Sequence, residues 1–241
     1  MPPKNIANGK EVCRWCDVCG TLLLGSRCSR CGSPGREFEI NSPGDIRPCF
    51  GESREAVAGL FREAFGTSRP IDGKAIFLNK VPGEDRTDEI VSHGTVLGIV
   101  RFDMRLNRLV LELRQPGADM FADVATQNVV TFAGLSGHLK GKNIPGSNIN
   151  EVLGNFREGD TVIVRKGARA GPGIALVSSD NIEYAEKAVK IRDLSPDPER
   201  PISPDSDISE FVEANTSHMK GLTSVAVSEI RESTNGSKLP V

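Results

Sequence analysis

The stretch CDVCGTLLLGSRCSRCG, residues 16–32, decides how this chain is read. It carries Cys16, Cys19, Cys28 and Cys31 as two Cys-x-x-Cys-Gly units separated by eight residues. Two residues between thiolates suit a tight turn that aims both sulfurs at one ion, and the glycine that follows can take the positive φ such a turn requires. Two such turns complete a four-thiolate shell with no position left for substrate or water, so the expected ion is a structural Zn2+. A spacer of eight is shorter than the usual ~15–20 residues, which makes the expected ribbon small. A unit of about 20 residues cannot build a sufficient core, and the metal supplies its folding energy.

Working outward, Cys13 and Cys49 are read as a spare thiol and a buried small side chain. Cys13, Cys16 and Cys19 also run as Cys-x-x-Cys-x-x-Cys, the opening of an iron–sulfur pattern whose next ligand position is occupied by Leu23. Trp15 is expected either to pack on the knuckle or to offer an exposed contact. Arg14, Arg27, Arg30 and Arg36 flank the cysteines and serve either RNA contact or the solubility of a small ribbon.

Composition bounds the rest. The 241 residues are 26% charged and 38% hydrophobic, with 30 basic and 32 acidic side chains and a net charge of −2. Such a chain has the make-up of a globular protein of one to three domains, and it lacks the electrostatic footprint of a general nucleic-acid binder. No apolar run approaches the roughly 18 residues of a membrane span, and the N-terminus lacks a signal-peptide layout, so the expected location is the cytoplasm. Cysteines confined to the first 49 residues of a cytosolic chain point to metal in preference to disulfides.

The expected fold class is α+β: a zinc ribbon (11–40), an α+β segment (41–125), a small β pseudo-barrel (126–194), a proline-rich linker (195–206) and an amphipathic helix (207–234). The helix Ser53 to Phe65 is predicted from Val57, Leu60, Phe61, Ala64 and Phe65 at helical spacing. Strands are predicted over 74–79, 94–102, 108–113, 128–132, 161–165, 173–178 and 188–191, with Asp103 to Asn107 as a hairpin connection and the charged stretch Pro82 to Glu89 as a solvated turn. Asp207 and Glu210 form a capping box. Behind it Ile208, Phe211, Val212, Met219, Leu222, Ala226 and Ile230 share one apolar face, which needs a partner: either the barrel, or one that these residues do not include. His93, His138 and His218 have no partner at ligand spacing, and no Ser-His-Asp or paired-carboxylate arrangement stands out.

Within 139–178, Gly141 and Ile144-Pro145-Gly146, the segment Phe156-Arg157-Glu158-Gly159-Asp160-Thr161-Val162 and the strand Gly173-Ile174-Ala175-Leu176-Val177 resemble the PUA domain of RNA-modifying enzymes. The order of a ribbon, Ser42-Pro43-Gly44-Asp45-Ile46-Arg47-Pro48, a pre-PUA α+β segment, a PUA-like domain and a helix with Glu213-Ala214-Asn215 resembles the N-terminal part of archaeal phosphoadenosine phosphosulfate reductase family proteins. In that family the helix leads into a PP-loop domain opening with Ser-Gly-Gly-x-Asp-Ser, a motif that these residues do not contain; the sequence stops at Leu239-Pro240-Val241, about where that domain's first strand would begin. The resemblance therefore implies a substrate-recruiting region with no catalytic residue of its own, presenting RNA, of the tRNA class, to a PP-loop enzyme concerned with tRNA modification. The RNA-facing residues it implies are Lys140, Gly141, Lys142, Pro145 and Gly146, with His138 beside them. Arg165, Lys166 and Arg169 form a basic hairpin tip with the same expected role. The alternatives are a truncated reductase of activated sulfate and a protein-interaction module whose last helix docks a partner.

Overall fold

The computed structural model describes residues 9–82, 87–104, 107–194 and 203–233. Three sheets follow one another along them. The first is β1 (Lys10–Cys16), β2 (Thr21–Leu23) and β3 (Arg36–Asn41), antiparallel in the order β2-β1-β3. Trp15, Leu22 and Ile40 are its buried apolar side chains in a cluster completed by Ala75, Phe77, Val91 and Phe211 from elsewhere. So small a sheet has no core of its own and borrows one.

The second sheet is an antiparallel meander of β4 (Asp45–Pro48), β5 (Phe77–Lys80), β6 (Asp88–Ser92), β7 (Thr95–Asp103) and β8 (Arg108–Leu113). Helix α1 (Glu52–Phe65) lies between β4 and β5 and buries Val57, Ala58, Phe61 and Phe65, the face its spacing predicts. It ends at Gly66, whose left-handed φ of 74° lets its N–H cap the Arg62 carbonyl at 2.9 Å. Helix α2 (Gln115–Phe121) brings Phe121 into a stack with Phe61 at 4.7 Å. Gly117 allows α2 to press on β7, since a Cβ there would collide with the Leu97 carbonyl.

The third sheet, ordered β10-β14-β13-β12-β9-β11, contains β9 (Val129–Phe132), β10 (Asn143–Ile144), β11 (Ile149–Leu153), β12 (Thr161–Lys166), β13 (Arg169–Ala175) and β14 (Val189–Ile191). Its β9–β12 pair is parallel. The sheet is a half-barrel: its edge strands β10 and β11 are joined by the 3-10 turn Gly146–Asn148 and do not hydrogen-bond to each other. Val130, Phe132, Ile144, Val162, Val164, Val189 and Ile191 fill its concave side. Its other face shares Val129, Ile163 and Ala170 with the core under α1 and α2, so the two sheets pack as neighbours over continuous apolar contact.

Three expectations change. The stretch from Pro82 to Glu89 is not all solvated turn: residues 83–86 lie outside the described residues, and Asp88 and Glu89 are buried in β6. Their charges are tolerable because Arg47 meets Asp88 at 2.7 Å, while the Glu89 carboxylate accepts the Asn41 amide, the Asn41 side chain and the Asn79 side chain at 2.9, 2.5 and 2.8 Å. Trp15 is fully buried, donating to Ser203 Oγ at 3.2 Å and meeting Phe77 edge-on at 6.0 Å, so it offers no exposed contact. Finally, helix α3 (Ile208–Ser233) does not fold back on the half-barrel. Its first turns lie on the ribbon, where Phe211 packs against Phe77 at 5.3 Å. The proposed linker residues 195–202, the chain end from 234 and the Ile230 side chain lie outside the described residues.

Candidate metal centre and basic face

The two Cys-x-x-Cys-Gly units fold as the spacing predicts. In each, the glycine N–H returns to the carbonyl of the first cysteine, Gly20 to Cys16 at 2.8 Å and Gly32 to Cys28 at 2.9 Å, with φ of 64° and 75°. The reciprocal turns bring all four Sγ atoms within 4.8 Å of one another, with Cys16 to Cys31 at 3.5 Å and Cys19 to Cys28 at 3.7 Å. A tetrahedral ion with metal–sulfur bonds of about 2.3 Å separates its sulfurs by roughly 3.8 Å, so the donor set fits zinc in spacing and in chemistry. This is the one group of metal-ligating side chains found among the described residues, and Cys13 and Cys49 stand outside it.

The electrostatics favour a cation. Burial pushes the Cys16 thiol up to about 11 and raises Cys19 still further, whereas hydrogen bonds from Ser33 hold the exposed Cys31 down to about 6. The Cys16 and Cys19 sulfurs, buried beside Leu23 and Ala214, cannot both ionise without a positive ion beside them. The arginines flanking the cysteines are engaged within the fold. Arg14 pairs with Glu37 at 2.7 Å, Arg27 donates to the Gly32 carbonyl, and Arg36 grips Asp17 at 2.9 Å while capping the His93 and Gly94 carbonyls. Arg30 binds Glu210 and Glu213 of α3 at 3.2 and 3.1 Å.

The half-barrel residues singled out from the sequence lie in two loops. Gly141 turns at φ 80°, with open space where a side chain would be, and its N–H reaches the Ile191 carbonyl at 2.8 Å. Pro145 precedes the 3-10 turn that begins at Gly146. Gly146 is buried against the Ile182 carbonyl, so its place is structural. Arg165, Lys166 and Arg169 flank the two-residue turn Gly167-Ala168 of the β12–β13 hairpin.

These loops are far apart in sequence yet reach the same two segments. Lys142 Nζ and Lys166 Nζ donate to the neighbouring carbonyls of Ser136 and Leu135. Lys140 pairs with Asp193 at 2.9 Å, and Arg169 donates to the adjacent Leu194 carbonyl at 3.4 Å. Arg192 is exposed beside them, and His138 lies close enough to act on the Asp193 charge. Arg165 faces the other way, toward Asp123 at 3.6 Å. The result is a cationic rim at one end of the half-barrel, which sequence reasoning named as two separate groups.

His93 is buried at a φ of 56°, and His218 is exposed beside Gly25. Among the described residues, no helix is long and apolar enough to cross a membrane.

No protein-family profile matches the chain. It is 32% identical over 193 residues to the uncharacterized protein MJ0066 of Methanocaldococcus jannaschii, a match that takes in 76% of this chain and 40% of that protein. The chain thus spans well under half the length of this relative. Among solved structures it is similar to a conserved PUA domain protein from Thermoplasma acidophilum, at 13% identity and a TM-score of 0.44. A hypothetical protein from Pyrococcus horikoshii, PH0734.1, has 16% identity and the same score. Each of these two matches covers 63% of this chain and 95% of the other.

Proposed function

We propose that this chain is a zinc-stabilised, PUA-like RNA-binding region that recruits RNA, with tRNA as the substrate class, for a PP-loop catalytic domain fused to it or separate. The observation that carries the RNA reading is the convergence of Lys140, Lys142, Lys166 and Arg169 on the 135–136 and 193–194 segments at one end of the half-barrel. A cluster of cations around an open glycine turn offers charge to phosphates and lets a backbone come close at Gly141. Tyr184, the chain's single Tyr, is 87% exposed but lies on the 3-10 turn Ser179–Tyr184 outside that rim, so recognition rests on backbone and shape more than on base stacking. The zinc is structural, holding up a ribbon that packs against the second sheet.

The test is fluorescence anisotropy with labelled tRNA, comparing the wild type with K140Q/K142Q/K166Q/R169Q. At least tenfold weaker binding by a variant with unchanged circular dichroism supports the reading. Equal binding, or none by the wild type, refutes it. A second reading, docking of a partner protein, is favoured by one observation: Leu222, Val225 and Val227 are exposed on α3 at 58, 56 and 40%.

A further inference from the structure

We infer that the four-cysteine centre is a latch for α3: bound metal fixes the surface on which the helix docks, and losing the metal releases it. The inference rests on the zinc reading above and is independent of RNA binding.

The two residues between the third and fourth ligands, Ser29 and Arg30, are both held by the helix. The Ser29 amide donates to the Ala214 carbonyl at 2.8 Å, Ser29 Oγ accepts the Ser217 amide at 3.1 Å, and Arg30 spans Glu210 and Glu213. From the same helix Asn215, 1% exposed, accepts the Leu24 amide at 2.6 Å and donates to the Leu22 carbonyl at 2.9 Å. Ala214 is buried directly among Cys16, Cys19 and Cys28. The helix therefore reads the shape of the second knuckle through backbone and side-chain bonds that a displacement of about 1 Å would break.

Little besides a metal fixes that knuckle. Its other internal bonds, Gly32 to Cys28, Cys28 to Ser33, Gly35 to Ser26, Arg27 to the Gly32 carbonyl and the Arg27–Pro34 bridge, all run within residues 26–35, and its side chains bury no cluster beyond the cysteines, Leu23 and Ala214. Thiols without an ion lose the shared centre that joins the two turns, and small zinc units fold only with their metal. Among the described residues the helix stands clear of the fold beyond Met219: 220–229 are exposed, and Gly221 has open space around it. The docked first turns are what hold its direction. Their neighbours Ser203 and Ser206 connect back to Trp15, Lys74 and Gly73, so release also reaches the single Trp.

Hydrogen–deuterium exchange on the full chain, with zinc bound and after removal by a strong chelator, tests this. Peptides covering 208–219 are expected to exchange at least tenfold faster without zinc, with a red shift of Trp15 emission, while β7–β8 and β12–β13 stay protected. A second arm keeps the metal: R30A/N215L is expected to free α3 while native mass spectrometry still finds one zinc per chain. If zinc is bound and its removal leaves 208–219 equally protected, the latch is wrong and the metal reading stands. Failure to bind zinc at all, as purified or after reconstitution, overturns both.

Discussion

At the scale of single residues, the two knuckle glycines share a backbone conformation but not an environment. Gly20 has the Pro204 carbonyl 2.6 Å from where a Cβ would sit, whereas Gly32 has open space. Gly32→Ala therefore costs only the left-handed strain, about 1 kcal/mol. Gly20→Ala adds a backbone collision and is expected to cost at least about twice as much by thermal denaturation of the zinc-loaded protein. His93 gives a pH signature. Burial, assisted by the Lys74 ammonium, lowers its imidazole to about 4 from an ordinary 6.5. The unfolded chain thus takes up a proton between those values that the native one refuses. This contribution is complete above pH 6.5 and is lost as pH falls toward 4, by about 2 kcal/mol between pH 7 and pH 5. His93→Asn tolerates the positive φ and carries no such proton, so denaturant titrations at the two pH values should show a loss smaller than the wild type's by that amount.

At the scale of elements, the legible parts were those whose signals are local. The strand over 108–113 was predicted with the bounds it has, and α1 presents the predicted face. The capping box is formed: Asp207 accepts the Ser209 amide at 2.6 Å, and the Asp207 amide reaches Glu210 at 2.9 Å. Asp207→Ala removes this cap and should raise amide exchange in the first turn of α3. Where reading failed, the cause was distant. Asp88 and Glu89 look like loop residues until Asn41, Arg47 and Asn79 arrive from other strands to pair with them. Helix α2 is too short, at seven residues, for a period to show, and it is held by tertiary contact at Gly117 and Phe121. The partner of α3 was hidden because it depends on Ser29 and Arg30, which read alone are merely the spacer of a metal motif.

At the scale of the whole molecule, a four-cysteine ribbon, a five-stranded sheet and a half-barrel are joined through shared cores, and the basic rim sits at the end of the last. The meeting of the four cysteines was legible because doubled Cys-x-x-Cys spacing encodes the geometry directly. The rim was legible only as fragments, since its unity depends on the 135–136 and 193–194 segments. Metal binding must displace protons from thiols that burial raises, so zinc affinity is expected to fall steadily as pH drops below neutrality, measured by competition with a chromophoric chelator. The rim is proposed to hold RNA through its phosphates. The most direct measurement is the salt dependence of tRNA affinity for the zinc-loaded wild type beside K140Q/K142Q. The logarithm of affinity should fall linearly with the logarithm of salt, with the variant's slope shallower by roughly 0.7 to 1 for each contact removed. A slope near zero, or one identical in the two proteins, would contradict the account.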